Sequence, residues 1–346
     1  MSKIRVLKSI GRLDIGGTEK ALQVFSKYLN KSRFEVIVCA RERGGCRAEL
    51  LKDMGIPVII GPVHVNDVVR EYKIDIFHAY RSGHYEPGSL PDKINGWPRI
   101  VQTNVFHDFD PIEGDKIDCC LFMSEFSKGR YQARGNQETR TVYGVMYNPV
   151  DFDELLPRRK SFSNTIGRCS RADEAKWHKV CIDSLPKVFR KVPEAQCIIQ
   201  GIPTTMRERL ARLSLNGRVQ ICEPRVNVQD FYQRIDVFTH GARVGETFGS
   251  VIAEAMANKI PVVTLSTPSG KKSNAQIELV EHGVTGFTCR WSWQYANAVI
   301  ELLKNHDLRE RFAQQGYEKA REQFEASQLT RKLTDVYLSL MDSSHS

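Results

Sequence analysis

The chain has 346 residues and a formal net charge of +9, from 50 Lys and Arg against 41 Asp and Glu. With 41% apolar and 26% charged residues it has the composition of a folded globular protein, which excludes disordered and fibrous classes. No apolar run approaches the ~20 residues that span a bilayer, so a helical membrane protein is excluded too.

The start, Met1 to Lys8, lacks the long apolar core of a secretion signal, and a cytoplasmic protein is expected. Short β-branched runs then alternate with amphipathic stretches. Ile4–Leu7, Phe34–Cys39, Pro57–Ile60, Ile74–Phe77, Ile100–Thr103 and Cys119–Met123 read as strands, with helices at Glu19–Leu29 and Arg47–Met54 between them. Asn148-Pro149-Val150-Asp151 and the polar stretch 156–164, which holds the longest basic block, Arg158-Arg159-Lys160, read as a linker. A second series follows: Ser163–Gly167, Cys197–Gly201, Val219–Cys222, Val237–Thr239 and Pro261–Thr264, each leading into a helical stretch. The last forty residues carry Leu302, Leu303, Phe312, Phe324, Leu329, Leu333, Val336 and Leu340 at helical spacing. Two strand–helix series predict an α/β fold of two doubly wound, Rossmann-like domains, 1–150 and 151–324, with a helix at about 325–346 returning to the first. Ligands of such sheets bind beyond the carboxyl ends of the strands.

Nine cysteines, an odd number without a Cys-x-x-Cys pair, read as reduced buried thiols. Basic residues are spread along the chain without a helix-turn-helix, zinc-finger or RRM signature, which argues against a nucleic-acid partner. Peripheral membrane attachment stays open, although no strong basic amphipathic helix is evident.

The most informative segment is Gly245-Glu246-Thr247-Phe248-Gly249-Ser250-Val251-Ile252-Ala253-Glu254-Ala255-Met256. It opens a helix with the apolar stripe Val251, Ile252, Ala255 and Met256, Thr247 being the expected N-cap. Gly249 removes bulk where backbone approaches a ligand, and the helix start presents amides to an anion. Glu246 lies just before the helix and Glu254 over two turns in, off the stripe. One carboxylate can reach a sugar while the other accepts from ribose hydroxyls.

This segment resembles the retaining family-4 glycosyltransferases of GT-B fold, marked by a Glu-x7-Glu motif with Phe-Gly after the first Glu. Glu246, Phe248, Gly249 and Glu254 match that motif. The resemblance implies two Rossmann-like domains facing a central cleft. In Ile166-Gly167-Arg168 to Lys176-Trp177 it places Arg168 and Lys176 at the family's two diphosphate-binding cations. Fixed cations there offset the charge that develops on a nucleoside diphosphate leaving group. Trp177 departs from the family, which usually has Gly after the Lys. Gly16-Gly17, after the first strand, lets backbone amides approach a phosphate or sugar; it is not the dinucleotide fingerprint Gly-x-Gly-x-x-Gly. The family faces this loop toward the donor. His107, in Val105-Phe106-His107-Asp108, matches a histidine often found near the sugar's anomeric region. His78 and Arg81, at the end of another strand, are candidates for the border of the acceptor site. The stretch from Ile277 to Phe287 resembles a surface turn before the family's last short strand.

Asp108-Phe109-Asp110 and Asp151-Phe152-Asp153 spell the cation-holding Asp-x-Asp of the other large glycosyltransferase fold, but that fold lacks a second Rossmann-like series. Paired aspartates also arise as turn formers. No metal or other cofactor is therefore expected. The resemblance implies a retaining, metal-independent transferase that moves a hexose-type sugar from a UDP- or GDP-linked donor to a glycan, lipid-linked or small-molecule acceptor. The alternatives are a non-catalytic nucleotide-sugar or glycan-binding protein of this fold and a sugar-nucleotide epimerase.

Overall fold

The structure is a computed structural model that describes residues 2–135, 141–157, 161–215, 217–268 and 270–342. The basic block 158–160 lies outside the described residues. The chain divides into two compact units, Met1–Pro149 with Ala326–Ser346, and Val150–Glu325.

The first unit runs β1 (Ile4–Arg12), α1 (Gly17–Tyr28), β2 (Phe34–Arg43), α2 (Cys46–Asp53), β3 (Val58–Ile60), α3 (Val65–Glu71), β4 (Ile76–Arg81), β5 (Arg99–Asn104), β6 (Cys119–Phe122), α4 (Glu125–Ala133) and β7 (Val142–Val145). Its sheet has the order β3-β2-β1-β4-β5-β6-β7, and every strand pair is parallel. Helices cover both faces, so a strand such as β4 is buried at all six positions, its polar His78 and Arg81 included, rather than alternating between buried and exposed. The edge strand β7 was not singled out by pattern; four residues interrupted by Gly144 carry too little periodicity.

The second unit runs β8 (Thr165–Cys169), α5 (Val180–Asp183), α6 (Leu185–Lys191), β9 (Gln196–Gln200), α7 (Thr204–Ala211), β10 (Val219–Cys222), α8 (Gln229–Tyr232), β11 (Val237–His240), α9 (Ser250–Ala257), β12 (Val262–Leu265), α10 (Gln276–Leu279), β13 (Gly286–Cys289), α11 (Ser292–Lys304) and α12 (His306–Phe324). Its six-stranded sheet, also all parallel, has the order β10-β9-β8-β11-β12-β13. Strand order reverses direction between β8 and β11, and ligands of open α/β sheets bind at the carboxyl ends beside such a switch point. Val150 donates its N–H to the Phe324 carbonyl at 2.7 Å, so this unit begins and ends on neighbouring backbone.

The continuous helical pattern of the last forty residues serves two cores. Leu302, Leu303 and Phe312 join the core of the second unit. At Glu325 the backbone turns extended, and α13 (Ala326–Asp342) places Leu329, Leu333, Tyr337 and Leu340 with Phe25 and Phe34 in the core of the first. All nine cysteines are free; seven are buried and Cys46 is exposed. Among the described residues no helix is long and apolar enough to cross a membrane.

Candidate functional site

The strongest cluster lies in the second unit, beside its switch point. β8 and β11 are neighbours, with Phe238 opposite Gly167. The chain leaving β8 carries Lys176 and the chain leaving β11 carries Glu246, so topology brings together residues seventy positions apart. The Lys176 Nζ lies 2.6 Å from Glu246 Oε2, and the His240 Nε2 lies 3.3 Å from Glu246 Oε1. Burial would raise the Glu246 pKa, but the Lys176 ammonium and the His240 contact hold it well below the usual carboxylate range. Glu246 is therefore ionised, with one cation on one oxygen and an imidazole on the other.

The Glu246 backbone is equally fixed. Its N–H donates to Gln276 Oε1 at 3.1 Å, and its carbonyl accepts from Ala275 N–H at 2.9 Å. Gln276 in turn donates to the Leu265 carbonyl at 2.9 Å, which ties this loop to the end of β12. Gly245 has φ +73°, and a Cβ there would be driven into the Ser273 carbonyl oxygen. Gly245→Ala is expected to destabilise the chain by about 2 kcal/mol or more, because both backbone conformation and space oppose it. Chemical denaturation would check this; an unchanged midpoint would contradict the close approach.

Helix α9 starts at Ser250 with Gly249 at the N-cap in the left-handed region (φ +104°), which corrects the assignment of Thr247 as cap. The turn needs a glycine there, and a side-chain cap would not supply that conformation. Phe248 is buried to 1% exposure and packs edge-on against Phe324 at 5.3 Å, so its ring belongs to the core. Glu254, on α9, is buried and accepts from the Tyr232 hydroxyl at 3.0 Å. The two acids thus have different settings: Glu246 faces a cation, Glu254 a neutral phenol.

Gly167 and Arg168 lie within β8, which runs two residues farther than the predicted Ser163–Gly167. Gly167 leaves room for Ile235 and Phe231. Arg168 is 2% exposed and spends its guanidinium on backbone: Nη1 donates to the Cys169 carbonyl at 2.5 Å and Nη2 to the Lys176 carbonyl at 2.6 Å. Its charge lies over the Trp177 ring, 4.7 Å from the centroid. Trp177, the residue that departs from the family pattern, is 1% exposed and donates Nε1–H to the Arg171 and Gly201 carbonyls. Arg168 and Trp177 together pin the loop that presents Lys176. Arg168 therefore acts through that loop in this conformation.

In the first unit, Gly16 is the N-cap of α1 and has no side-chain cap; Gly17 is the first helical residue. They follow β1, which borders the switch point between β1 and β4. His107 follows β5 and has φ +52°, 6% exposure and a buried Nδ1 without a hydrogen-bond partner among the described residues. Burial, then the charges of Arg134 and Arg130, push its pKa down to about 4 against the pull of Asp108. The unfolded chain takes up this proton near pH 6.5. The stability His107 contributes is thus present above that pH and is lost as pH falls toward 4. A urea midpoint that declines across this window, and declines less in His107→Gln, is the expected result; equal slopes would remove His107 as a contributor.

His78 and Arg81 are both buried within the first unit. His78 is a core histidine, 2.6 Å from the Tyr337 hydroxyl and 2.9 Å from Thr103 Oγ1. Arg81 is buried, ion-paired with Asp110 and bonded to Ser89 at 2.8 Å. Both alternate along β4 onto faces covered by helices or loops, which a run of apolar neighbours could not reveal. The same ion pair accounts for one Asp-x-Asp: Asp110 neutralises Arg81, while Asp108 faces Arg134 at 3.4 Å. In the other, Asp151 caps a short turn by accepting from the Asp153 N–H at 3.1 Å. Sequence reasoning missed His240 and Gln276. Their only sequence signal is a polar residue closing an apolar strand and a polar residue opening a short helix.

Residues 157–319 match the family described as Glycosyl transferases group 1. N-acetyl-alpha-D-glucosaminyl L-malate synthase of Bacillus anthracis is 25% identical over 240 residues, which cover 66% of this chain and 61% of that relative. The chain therefore matches less than two thirds of that relative's length. Among solved structures, Anabaena Alr3699/HepE in complex with UDP and glucose superposes with a TM-score of 0.74 at 21% identity, over 97% of this chain and 99% of that one. Sucrose-phosphate synthase from Thermosynechococcus elongatus gives a TM-score of 0.75 at 13% identity, over 99% and 100%. The fold is that of these solved structures, two parallel-sheet Rossmann-like domains, and the residues that match the glycosyl transferases group 1 model lie within the second unit.

Proposed function

We propose that this chain, whose residues 157–319 match the glycosyl transferases group 1 model, is a retaining, metal-independent glycosyltransferase of the family-4 type that uses a UDP- or GDP-linked sugar. The observation that carries this reading is Glu246, ionised and held between Lys176 and His240 at the carboxyl ends of the switch-point strands. A buried carboxylate of fixed orientation accepts hydrogen bonds from the hydroxyls of a transferred sugar. The Lys176 ammonium has three N–H donors, and Glu246 engages one of them, so the others serve a donor diphosphate. Glu254 accepts from ribose hydroxyls. As the glycosidic bond breaks, negative charge grows on the leaving phosphate, and a fixed ammonium lowers the cost of that charge. The departing phosphate oxygen, on the face of the sugar that the acceptor attacks, takes the acceptor's proton. The acceptor is a glycan, a lipid-linked sugar or a small hydroxylated molecule.

Thermal shift against UDP-, GDP- and ADP-sugars, with and without chelator, tests the reading, since stabilisation follows affinity. One nucleotide class is expected to raise the midpoint, and chelator is expected to change neither this shift nor turnover. A shift abolished by chelator would overturn metal independence. A chain that bound no nucleotide sugar and released no glycoside would overturn the whole reading.

A further inference from the structure

We propose that His240 is the residue that positions Glu246, acting as a neutral hydrogen-bond donor whose tautomer is set by Thr264. The proposal rests on the reading of Glu246 given above and adds a residue that the Glu-x7-Glu motif does not contain.

His240 closes β11 and is fully buried. Its neighbour across the sheet is Thr264 of β12, directly in register, and the Thr264 Oγ1 lies 2.9 Å from His240 Nδ1. The other ring nitrogen, Nε2, lies 3.3 Å from Glu246 Oε1. A lone pair on Nε2 would be repelled by an ionised carboxylate, so Nε2 carries the proton. Nδ1 is then an acceptor, and the Thr264 hydroxyl is the group that donates to it. The Tyr295 hydroxyl donates to the His240 carbonyl at 3.1 Å and fixes the strand end from α11.

The charged groups around the ring are Glu246 on its own chain segment and Arg168 and Lys176 from the β8 side. Burial and the two cations oppose a second proton, while Glu246 favours one; the balance lowers the imidazole pKa. The ring is therefore a neutral donor. This matters for the site. Lys176 already supplies one positive charge to Glu246, and a second cation on Oε1 would cancel the carboxylate's attraction for a hydroxyl proton. A neutral N–H orients the carboxylate and leaves its charge available. His240 touches no reacting atom and is a positioning residue.

The test uses the full chain with His240→Phe, His240→Gln and Thr264→Val, read by steady-state kinetics and by 15N detection of the imidazole. His240→Phe should lower kcat by ~10- to 100-fold, the worth of one hydrogen bond to a charged group, with nucleoside diphosphate affinity changed less than about threefold. His240→Gln, which restores an N–H donor, should recover most of the loss. A merely structural histidine would show no such rescue. Wild-type His240 should be observed as the Nε2–H tautomer, and Thr264→Val should erode that preference. Wild-type kcat in His240→Phe, or an Nδ1–H tautomer in the wild type, would overturn the proposal. If His240→Phe fails to fold, the tautomer and the Thr264→Val kinetics decide. Absence of any sugar transfer by the wild-type chain would instead sink the functional reading, while the tautomer measurement would still test the hydrogen bonds.

Discussion

Replacing Glu246 by glutamine is expected to reduce sugar transfer by ~10²- to 10³-fold while the chain stays folded. The two carboxylate oxygens each meet a donor, Lys176 Nζ on one and His240 Nε2 on the other. An amide offers a single oxygen, so whichever way the glutamine sits, its NH2 group opposes one of those donors. The charge that a sugar hydroxyl would meet is also gone. Stability should suffer less than activity. Lys176 keeps a quarter of its side chain exposed, so water compensates part of the lost pairing. The stability contribution of Glu246 in the wild type is present above pH ~4.5 and is lost as pH falls toward its depressed folded value. Glu246→Gln should therefore be less sensitive to acid below pH 4.5 than the wild type. Steady-state rates and acid titrations of both proteins check the two halves; near-normal transfer by the variant would remove Glu246 from the chemistry.

The second large effect concerns Arg168, for which both alanine and lysine replacements should weaken nucleoside diphosphate binding. The guanidinium bridges two carbonyls seven residues apart in sequence, those of Cys169 and Lys176, and stacks on Trp177. A lysine keeps the charge but is a single point donor and cannot reproduce that planar fork. Losing two charge-assisted bonds from a buried site costs roughly 2–4 kcal/mol in stability, and the loop presenting Lys176 loses its anchor. Calorimetric titration with the nucleoside diphosphate should show ~10-fold or greater weakening in both variants. If Arg168→Lys bound as tightly as the wild type, charge alone would suffice and the loop-clamp role would be wrong.

Much of the architecture was legible before any coordinates. Alternation of short β-branched runs with amphipathic stretches pointed to two parallel sheets, because parallel strands need a long crossover connection, usually a helix. The break near Asn148-Pro149 read as a linker, and the spacing of Leu329, Leu333 and Leu340 as a final helix. The segment around Glu246 and Glu254 stood out through its match to the Glu-x7-Glu motif with Phe248-Gly249, since two glutamates at this spacing alone are common on solvated helix faces. The burial of His78 and Arg81 was not legible, for a physical reason. A polar residue at a strand end has the same sequence signature whether it faces a ligand or a buried partner, and here those partners, Tyr337 and Asp110, lie 259 and 29 residues away.

The sequence by itself determined the α/β class and the two sheet series, since those follow from periodicity and local turn chemistry; the candidate donor-holding residues came from the resemblance to the family-4 glycosyltransferases. Only the tertiary structure decided that Arg168 clamps a loop, that Trp177 fills a core and that His240 and Gln276 orient Glu246. The physical reason is that burial and hydrogen-bond partners are set by strand order. β8 and β11 adjoin in the sheet although two strands separate them along the chain, and no local pattern encodes that adjacency.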